Sequence, residues 1–283
     1  MARLGVSSSS YYDRPKVLRE RDALAVSKLL QAHVDHPWYG VARLAIHLGW
    51  SQEKTRRIRN AAGVVVPRAS KKHKTGRRLQ AEIATPNNTL ATYAAFRDPD
   101  RPQDGQSYAA MTSVGAWAQD FTYLWFERSW HYLAVVLDLE TRQVVGWKLG
   151  LSHSSELTYF ALLDAFSRHA VPAILHSDQG SEYLSSRHQI LCEKLGIILS
   201  CSAPASPWQN GYMERWFGGF KSELGSLTKF KNLAQLHEAI ALQIHYYNTK
   251  RIHSALGMAP ATYADQLKRV SDERELVSGK TRG

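Results

Sequence analysis

The chain has 283 residues, 44% of them hydrophobic and 22% charged, with a net charge of +11, enough for two domains of ordinary globular composition. No apolar run approaches the roughly 20 residues of a membrane span, and the opening MARLGVSSSSYY lacks the apolar stretch of a secretory signal. Two cysteines, Cys192 and Cys201, without CxxC spacing make neither a disulfide framework nor a zinc site, so the expectation is a reduced, cytoplasmic protein with no membrane contact.

The charge is unevenly placed. Residues 1–85 hold 17 Lys and Arg against 6 Asp and Glu, whereas residues 86–283 hold 19 of each. A basic block beside a neutral body is the footprint of a phosphate-binding module attached to an enzyme. Within the block, 17–34 has the apolar spacing of a helix, which His36-Pro37 interrupts. Val41, Leu44, Ala45 and Leu48 repeat at helical spacing up to Gly49. Ser51 is placed to cap a further helix that presents Lys54, Arg56, Arg57 and Arg59 and stops at Gly63. Helix, glycine turn and basic helix make the helix-turn-helix plan over residues 1–65, with the second helix free to enter a major groove of double-stranded DNA. Residues 66–112 read as a basic linker and irregular lead-in, with Lys71, Lys72, Lys74, Arg77 and Arg78 set to follow a DNA backbone. The turn-rich 97–107 reads as a surface loop.

The texture then changes. Strands are predicted over Ala116–Leu124, Trp130–Leu139, Arg142–Leu151, Ala173–His176 and Ile197–Ser200. Helices are predicted near Ser155–His169, Ser185–Leu195, Pro207–Leu227 and Leu233–Tyr247. Three antiparallel strands followed by alternating helix and strand describe an α/β domain, a mixed five-stranded sheet flanked by helices over 113–227. A helical extension and tail over 228–283 follow.

Three carboxylates stand out. Asp120 lies among β-formers at a strand centre, where an acid is costly to bury without a partner or metal. Asp178 ends the fourth strand, and carboxylates at strand ends of open sheets face a ligand crevice. Glu214 falls on the long helix, for which Ser206 is the expected N-cap, Pro207 the first residue and Gln209 the reciprocal capping residue. Asn210, Glu214, Phe217 and Lys221 share a helical face. Three hard oxygen ligands suit two Mg²⁺ ions, with Mn²⁺ able to substitute, in a phosphoryl-transfer site. Asp138, at the end of the second strand, is expected to be structural. Trp117, Trp208, Tyr212 and Trp216 are expected to pack the core ahead of stacking on bases.

Asp178 and Glu214 have 35 residues between them with Asp120 upstream, a spacing that resembles the D,D-35-E core of retroviral integrases and many bacterial transposases. In order, WAQDFTY, YLAVVLDLETRQVVGW, HSDQGSEY, SPWQNGYMERWFGGFKSEL and YYNTKRIHSALGMAPATY resemble the second-frame protein of two-frame bacterial insertion sequences. HPWYGVARLAIHLG resembles its N-terminal helix-turn-helix segment, so the likeness spans about residues 11 to 263. The resemblance implies an RNase H-like fold and a metal-binding triad of Asp120, Asp178 and Glu214. It implies 3′-end nicking and strand transfer of an insertion element, and contact of Lys221 with element-end DNA. It also implies a homo-oligomer on paired ends and a first-frame (OrfA-type) partner, whose own helix-turn-helix and coiled coil have no counterpart here. Tyr247, Asn248, Arg251 and His253 match a C-terminal signature whose role does not follow from their chemistry. Two rivals remain at this level: a DNA-binding regulator without catalysis, and an RNase H-like nuclease that cuts without joining.

Overall fold

The computed structural model describes residues 22–66, 95–96, 106–107, 115–202 and 210–280. The chain divides into two compact units, Met1–Arg68 and Ala69–Gly283. Among the described residues, the first holds three helices: α1 (Ala23–Asp35), α2 (Val41–Leu48) and α3 (Gln52–Ala61). Leu29, Leu44 and Ile58 form its fully buried centre. Gly49 takes the left-handed conformation between α2 and α3 (φ 64°), where a side chain would be strained. Ser51 caps α3, its Oγ accepting the Lys54 N–H at 3.2 Å. That cap satisfies one of the orphan donors of the first turn.

The described residues of the second unit begin with a two-stranded pair, β1 (Ala95–Phe96) and β2 (Gln106–Ser107). The lead-in is therefore not loop throughout, since Gln106 and Ser107, expected in a surface loop, pair as a strand. Next come β3 (Ala116–Phe126), β4 (Ser129–Asp138), β5 (Val144–Gly150), α4 (Ser155–Phe166), β6 (Ile174–Ser177), α5 (Ser186–Lys194) and β7 (Ile198–Cys201). The chain ends in α6 (Gly211–Leu224), α7 (Leu233–Thr249) and α8 (Pro260–Lys280). The five long strands form one mixed sheet in the order β5-β4-β3-β6-β7, with β3–β4 and β4–β5 antiparallel and β3–β6 and β6–β7 parallel.

Alternation along the strands makes two cores. Ala116, Ala118, Leu124, Leu133, Val135 and Leu137 face Met213, Phe217 and Phe220 of α6 and Ile240 and Ile244 of α7. Trp117, Ala134, Val136 and Val145 face Leu157, Ala161, Leu162 and Ala165 of α4 on the opposite side. On that side β5 meets α4 almost backbone to backbone. A Cβ at Gly146 would run into the Ala161 carbonyl oxygen and come within 2.7 Å of the Ala165 N and Cβ. One sequence expectation is corrected at a helix end. The long helix starts at Gly211 with Asn210 at the N-cap position, not at Pro207 behind Ser206; Ser206, Pro207 and Gln209 themselves lie outside the described residues. Within the helical extension and tail expected over 228–283, Pro260–Lys280 form α8, a stretch whose sequence lacks the apolar stripe that announces a helix. No described helix is long and apolar enough to cross a membrane.

Candidate active site

Asp120 sits in β3 opposite Val135 of β4. Even-numbered β3 residues belong to the core beneath α6, so Asp120 emerges on the α6 side. Its other neighbour is β6, where Ala118 pairs with His176 in parallel register. Two further steps along both strands bring Asp178, the first residue past β6, level with Asp120. Strand register alone thus brings together two carboxylates that are distant in sequence. The Asp120 Oδ1 accepts the Phe121 N–H at 2.8 Å and the Asp178 Oδ1 accepts the Gly180 N–H at 3.0 Å.

The third acid arrives on α6. The Asn210 amide donates a long hydrogen bond of 3.5 Å to the Gln119 carbonyl, pinning the head of α6 to β3 beside Asp120. Glu214 lies one turn farther along, exposed, and its charge acts on Asp120. Asn210 and Phe217 of the predicted common face turn inward as buried residues, while Glu214 and the half-buried Lys221 stay at the rim.

Electrostatics marks the two aspartates. Burial, and then the negative charges of Asp178, Glu182 and Glu214, hold the Asp120 carboxyl well above the usual carboxylate range, against the pull of the Phe121 N–H. Burial raises Asp178 as well, although it reaches solvent at the mouth of the site, and the Gly180 N–H works the other way. Among the described residues, no cation is among the charges acting on Asp120. Like charges gathered without a counter-ion are what a hard divalent cation would relieve, and carboxylate oxygens are its preferred ligands. The donor chemistry therefore fits such an ion, although among the described residues no three His, Cys, Asp or Glu side chains close around a single point.

Two residues that the sequence reading passed over join the site. Glu182 is 8% exposed, and burial with the Asp178 charge raises its pKa. Its carboxylate lies under Gly180, so that a side chain at that position would have to push it aside. Tyr183 is buried with its hydroxyl unpaired, close enough to feel Asp120, Asp178 and Glu182. An acid four residues after Asp178 in a glycine turn was the available signal. Beneath the site, the Gln119 Nε2 contacts the His188 Nε2 at 2.9 Å, and burial lowers His188 to about 4.

Asp138 is occupied structurally: Oδ1 accepts the Glu140 and Thr141 N–H groups at 2.8 Å each, and Oδ2 accepts the Trp117 indole N–H at 3.2 Å. Trp117 and Trp216 are buried in the cores and Tyr212 packs against one; Trp208 lies outside the described residues. Of the basic residues expected on DNA, Lys54 and Arg56 of α3 are exposed and Arg59 is half-buried. The Lys54 ammonium rests over the Trp50 ring, 4.4 Å from its centroid. Arg57 is engaged within its own unit, donating to both Asp22 oxygens at 2.5 and 3.2 Å. Lys71, Lys72, Lys74, Arg77 and Arg78 lie outside the described residues.

The C-terminal signature acquires a structural reading. The Asn248 side chain accepts the Val144 N–H and donates to the Val144 carbonyl, both at 2.9 Å, as a neighbouring strand would. The Tyr247 hydroxyl donates to the Arg142 carbonyl at 2.9 Å. The Arg251 Nε and Nη2 hold the Glu223 Oε1 at 2.8 and 2.5 Å, with both side chains under 10% exposed. The His253 backbone pairs with Met258. The signature thus ties α7 to the free edge of β5 and to α6, the helix that carries Glu214.

Two models described as Integrase core domain match the chain, one over residues 112–207 and the other over 195–260. The chain is 35% identical to the transposase for insertion sequence element IS904 of Lactococcus lactis, over 53% of this chain and 61% of that protein. It is 28% identical to a 31 kDa protein of insertion element IS600 of Shigella sonnei, over 93% of this chain and 96% of the other. A transposase-like protein of Haemophilus influenzae is 32% identical over 57% of this chain and 76% of its own length. Among solved structures, the HTLV-2 integrase catalytic core domain in complex with magnesium is 23% identical, covering 53% of this chain and 95% of its own, with a TM-score of 0.46. With integrase-core models matching residues 112–207 and 195–260, the stretch that holds β3 to α7, and a transposase-like relative 32% identical over 76% of its length, the chain belongs to the DDE transposases of bacterial insertion sequences, polynucleotidyl transferases with an integrase catalytic core.

Proposed function

We propose that the protein nicks the 3′ end of its insertion element and joins that end to target DNA, with Asp120, Asp178 and Glu214 as its catalytic carboxylates. The observation that carries this reading is the meeting of Asp120 and Asp178 on neighbouring parallel strands, both with raised pKa values, beside a helix bearing Glu214. These three would hold two divalent ions, Mg²⁺ or Mn²⁺, which supply Lewis acidity to a phosphodiester under attack. The residues bind, orient and keep the charge balanced. Asp120, fixed at a strand centre, is the rigid ligand. Glu214, exposed on α6, is the ligand free to adjust. Glu182 keeps a further buried acid beside them.

In the first step a water oxygen bonds to phosphorus, the 3′ oxygen of the element leaves with a proton, and a 3′-hydroxyl results. In the second that hydroxyl oxygen bonds to a target phosphorus, its proton goes to solvent, and the target's 3′ oxygen leaves, taking a proton from solvent to become a 3′-hydroxyl. No covalent protein intermediate is needed. Lys54, Arg56 and Arg59 of α3, Arg57 once its Asp22 pairing is accounted for, and the 71–78 cations supply phosphate contacts, with Lys221 reaching the element end. We further propose that the protein acts as a homo-oligomer on double-stranded element ends, and that a first-frame partner supplies end recognition.

The test incubates a labelled duplex bearing the element's end with the protein and Mg²⁺ or Mn²⁺. Nicked and joined products that vanish in Asp178→Asn and Glu214→Gln, with duplex binding retained, are expected. Unchanged products in those variants refute the site. Cleavage without joining refutes strand transfer, and binding without product in the presence of a first-frame partner refutes catalysis.

A further inference from the structure

Resting on the reading of this chain as a DNA transposase, we infer that the outer half of the β3–β4 hairpin is a stacking platform for unpaired nucleobases of the DNA being processed. Tyr123 and Trp125 of β3 and Trp130 of β4 are 49, 53 and 50% exposed. All three lie on the sheet face that α4 covers lower down, because Tyr123 pairs with Tyr132 and Trp125 with Trp130. Their rings make a continuous row: Trp125 to Trp130 4.9 Å, Trp130 to Tyr123 6.0 Å, Tyr123 to Tyr132 5.3 Å between centroids, mostly edge to face. Edge-to-face contacts support each ring from the side and leave π-faces open. Single exposed aromatics are ordinary, but a contiguous row on one face marks a contact surface.

Three features select bases of unpaired DNA as the occupant. The row shares β3 with the catalytic site: Tyr123 follows Asp120 by three residues, on the opposite sheet face, and at the same end His153 stacks on Phe121, the residue next to Asp120, at 5.8 Å with rings 2° from parallel. Cations flank it, with exposed Arg128 in the hairpin turn and exposed Lys148 on β5 across from Ala134 of the same face. Its length suits a short single strand: at a strand rise of about 3.3 Å per residue, Phe121 to Trp125 spans about 13 Å, room for two or three bases. A duplex keeps its base faces stacked, so strands that fray or end next to the scissile phosphate are the DNA that offers them. Aromatic stacking with nearby cations is the usual physics of sequence-tolerant single-strand binding.

The experiment measures binding of the full-length protein, without divalent metal, to a fluorescent oligothymidylate of about 12 nucleotides and to a blunt duplex of equal length. Stacking is worth about 1–3 kcal/mol per base, so Trp125→Ala and Trp130→Ala should each weaken oligothymidylate binding about tenfold. Duplex affinity should stay within about twofold, and Trp125→Phe should restore most of the loss. Wild-type tryptophan emission should be quenched by oligothymidylate and not by duplex, a readout that needs no variant. Absence of quenching, unchanged affinity in both variants, or equal loss on both probes overturns the inference. A changed sedimentation coefficient in the variants with DNA binding intact also overturns it, by assigning the row to contact between copies of the chain. Binding is read without turnover, so failure here is distinct from failure of the Asp178→Asn catalytic test.

Discussion

Replacing Arg251 with alanine tests whether the C-terminal signature builds the site from a distance or takes part in the chemistry. Arg251 and Glu223 are 9 and 6% exposed and joined by a two-pronged bridge at 2.5 to 3.0 Å. Removing one partner leaves a carboxylate in a place that water does not reach. Among the described residues, the Gln243 amide, donating to Glu223 Oε2 at 3.0 Å, is what remains to satisfy it. Breaking a buried pair in this way costs about 3–5 kcal/mol. The value should lie at the lower end because that amide stays. Arg251→Ala should therefore lower unfolding free energy by about 3 kcal/mol in a denaturant titration at constant slope. Adding Glu223→Leu should recover most of it, since an apolar replacement of both partners avoids the orphaned charge. At temperatures where the single variant is folded, strand transfer should persist. A variant as stable as wild type that has lost strand transfer would refute the structural reading and move Arg251 into the chemistry.

Four other outcomes are expected. Asp120→Asn should raise the melting temperature of the metal-free protein at neutral pH while abolishing activity: a carboxyl held above its unfolded value stabilises the fold when protonated and opposes it when ionised, so the gain should shrink on acidification, and a fall in melting temperature contradicts it. His188, lowered to about 4 from an ordinary value near 6.5, favours the fold in its neutral form. It should contribute about 3 kcal/mol that is complete above pH 6.5 and lost as pH falls toward 4, seen as a steeper acid loss in wild type than in His188→Gln. Gly146→Ala forces a Cβ into the α4 backbone, which no rotamer relieves, and should destabilise by about 3 kcal/mol in the same titration. Chelation of divalent ions should stop product formation reversibly, with Mn²⁺ restoring it; turnover in excess chelator contradicts the carboxylate site.

Much of the architecture was legible along the chain. Strand patterns over 116–126 and 129–138, the Ser51 cap and the Gly49 stop each depend on the residue and its immediate neighbours, so local chemistry announces them. The hairpin turn at Glu127–Arg128 gave no signal, because both residues take positive φ (48° and 61°) without the Asn or Gly that usually marks such a turn. α8 was hidden for the converse reason, being helical without an apolar stripe. Asp120 and Asp178 could be named as an acid at a strand centre and another at a strand end, and their 35-residue companion Glu214 by spacing. The sequence alone therefore determined which residue types were available for metal-assisted phosphoryl transfer and where basic charge collects. Only the tertiary structure decided what stands beside what. The parallel register of β3 with β6 sets Asp178 level with Asp120, and Glu182 and Tyr183 join them because the glycine turn folds back. Asn248, Tyr247 and Arg251 become a clamp because α7 crosses the edge of β5, and Trp125 meets Trp130 because a two-residue turn reverses the strand. Those relations depend on contacts between segments far apart in the chain, and long-range packing, unlike a cap or an alternation, leaves no local pattern to read.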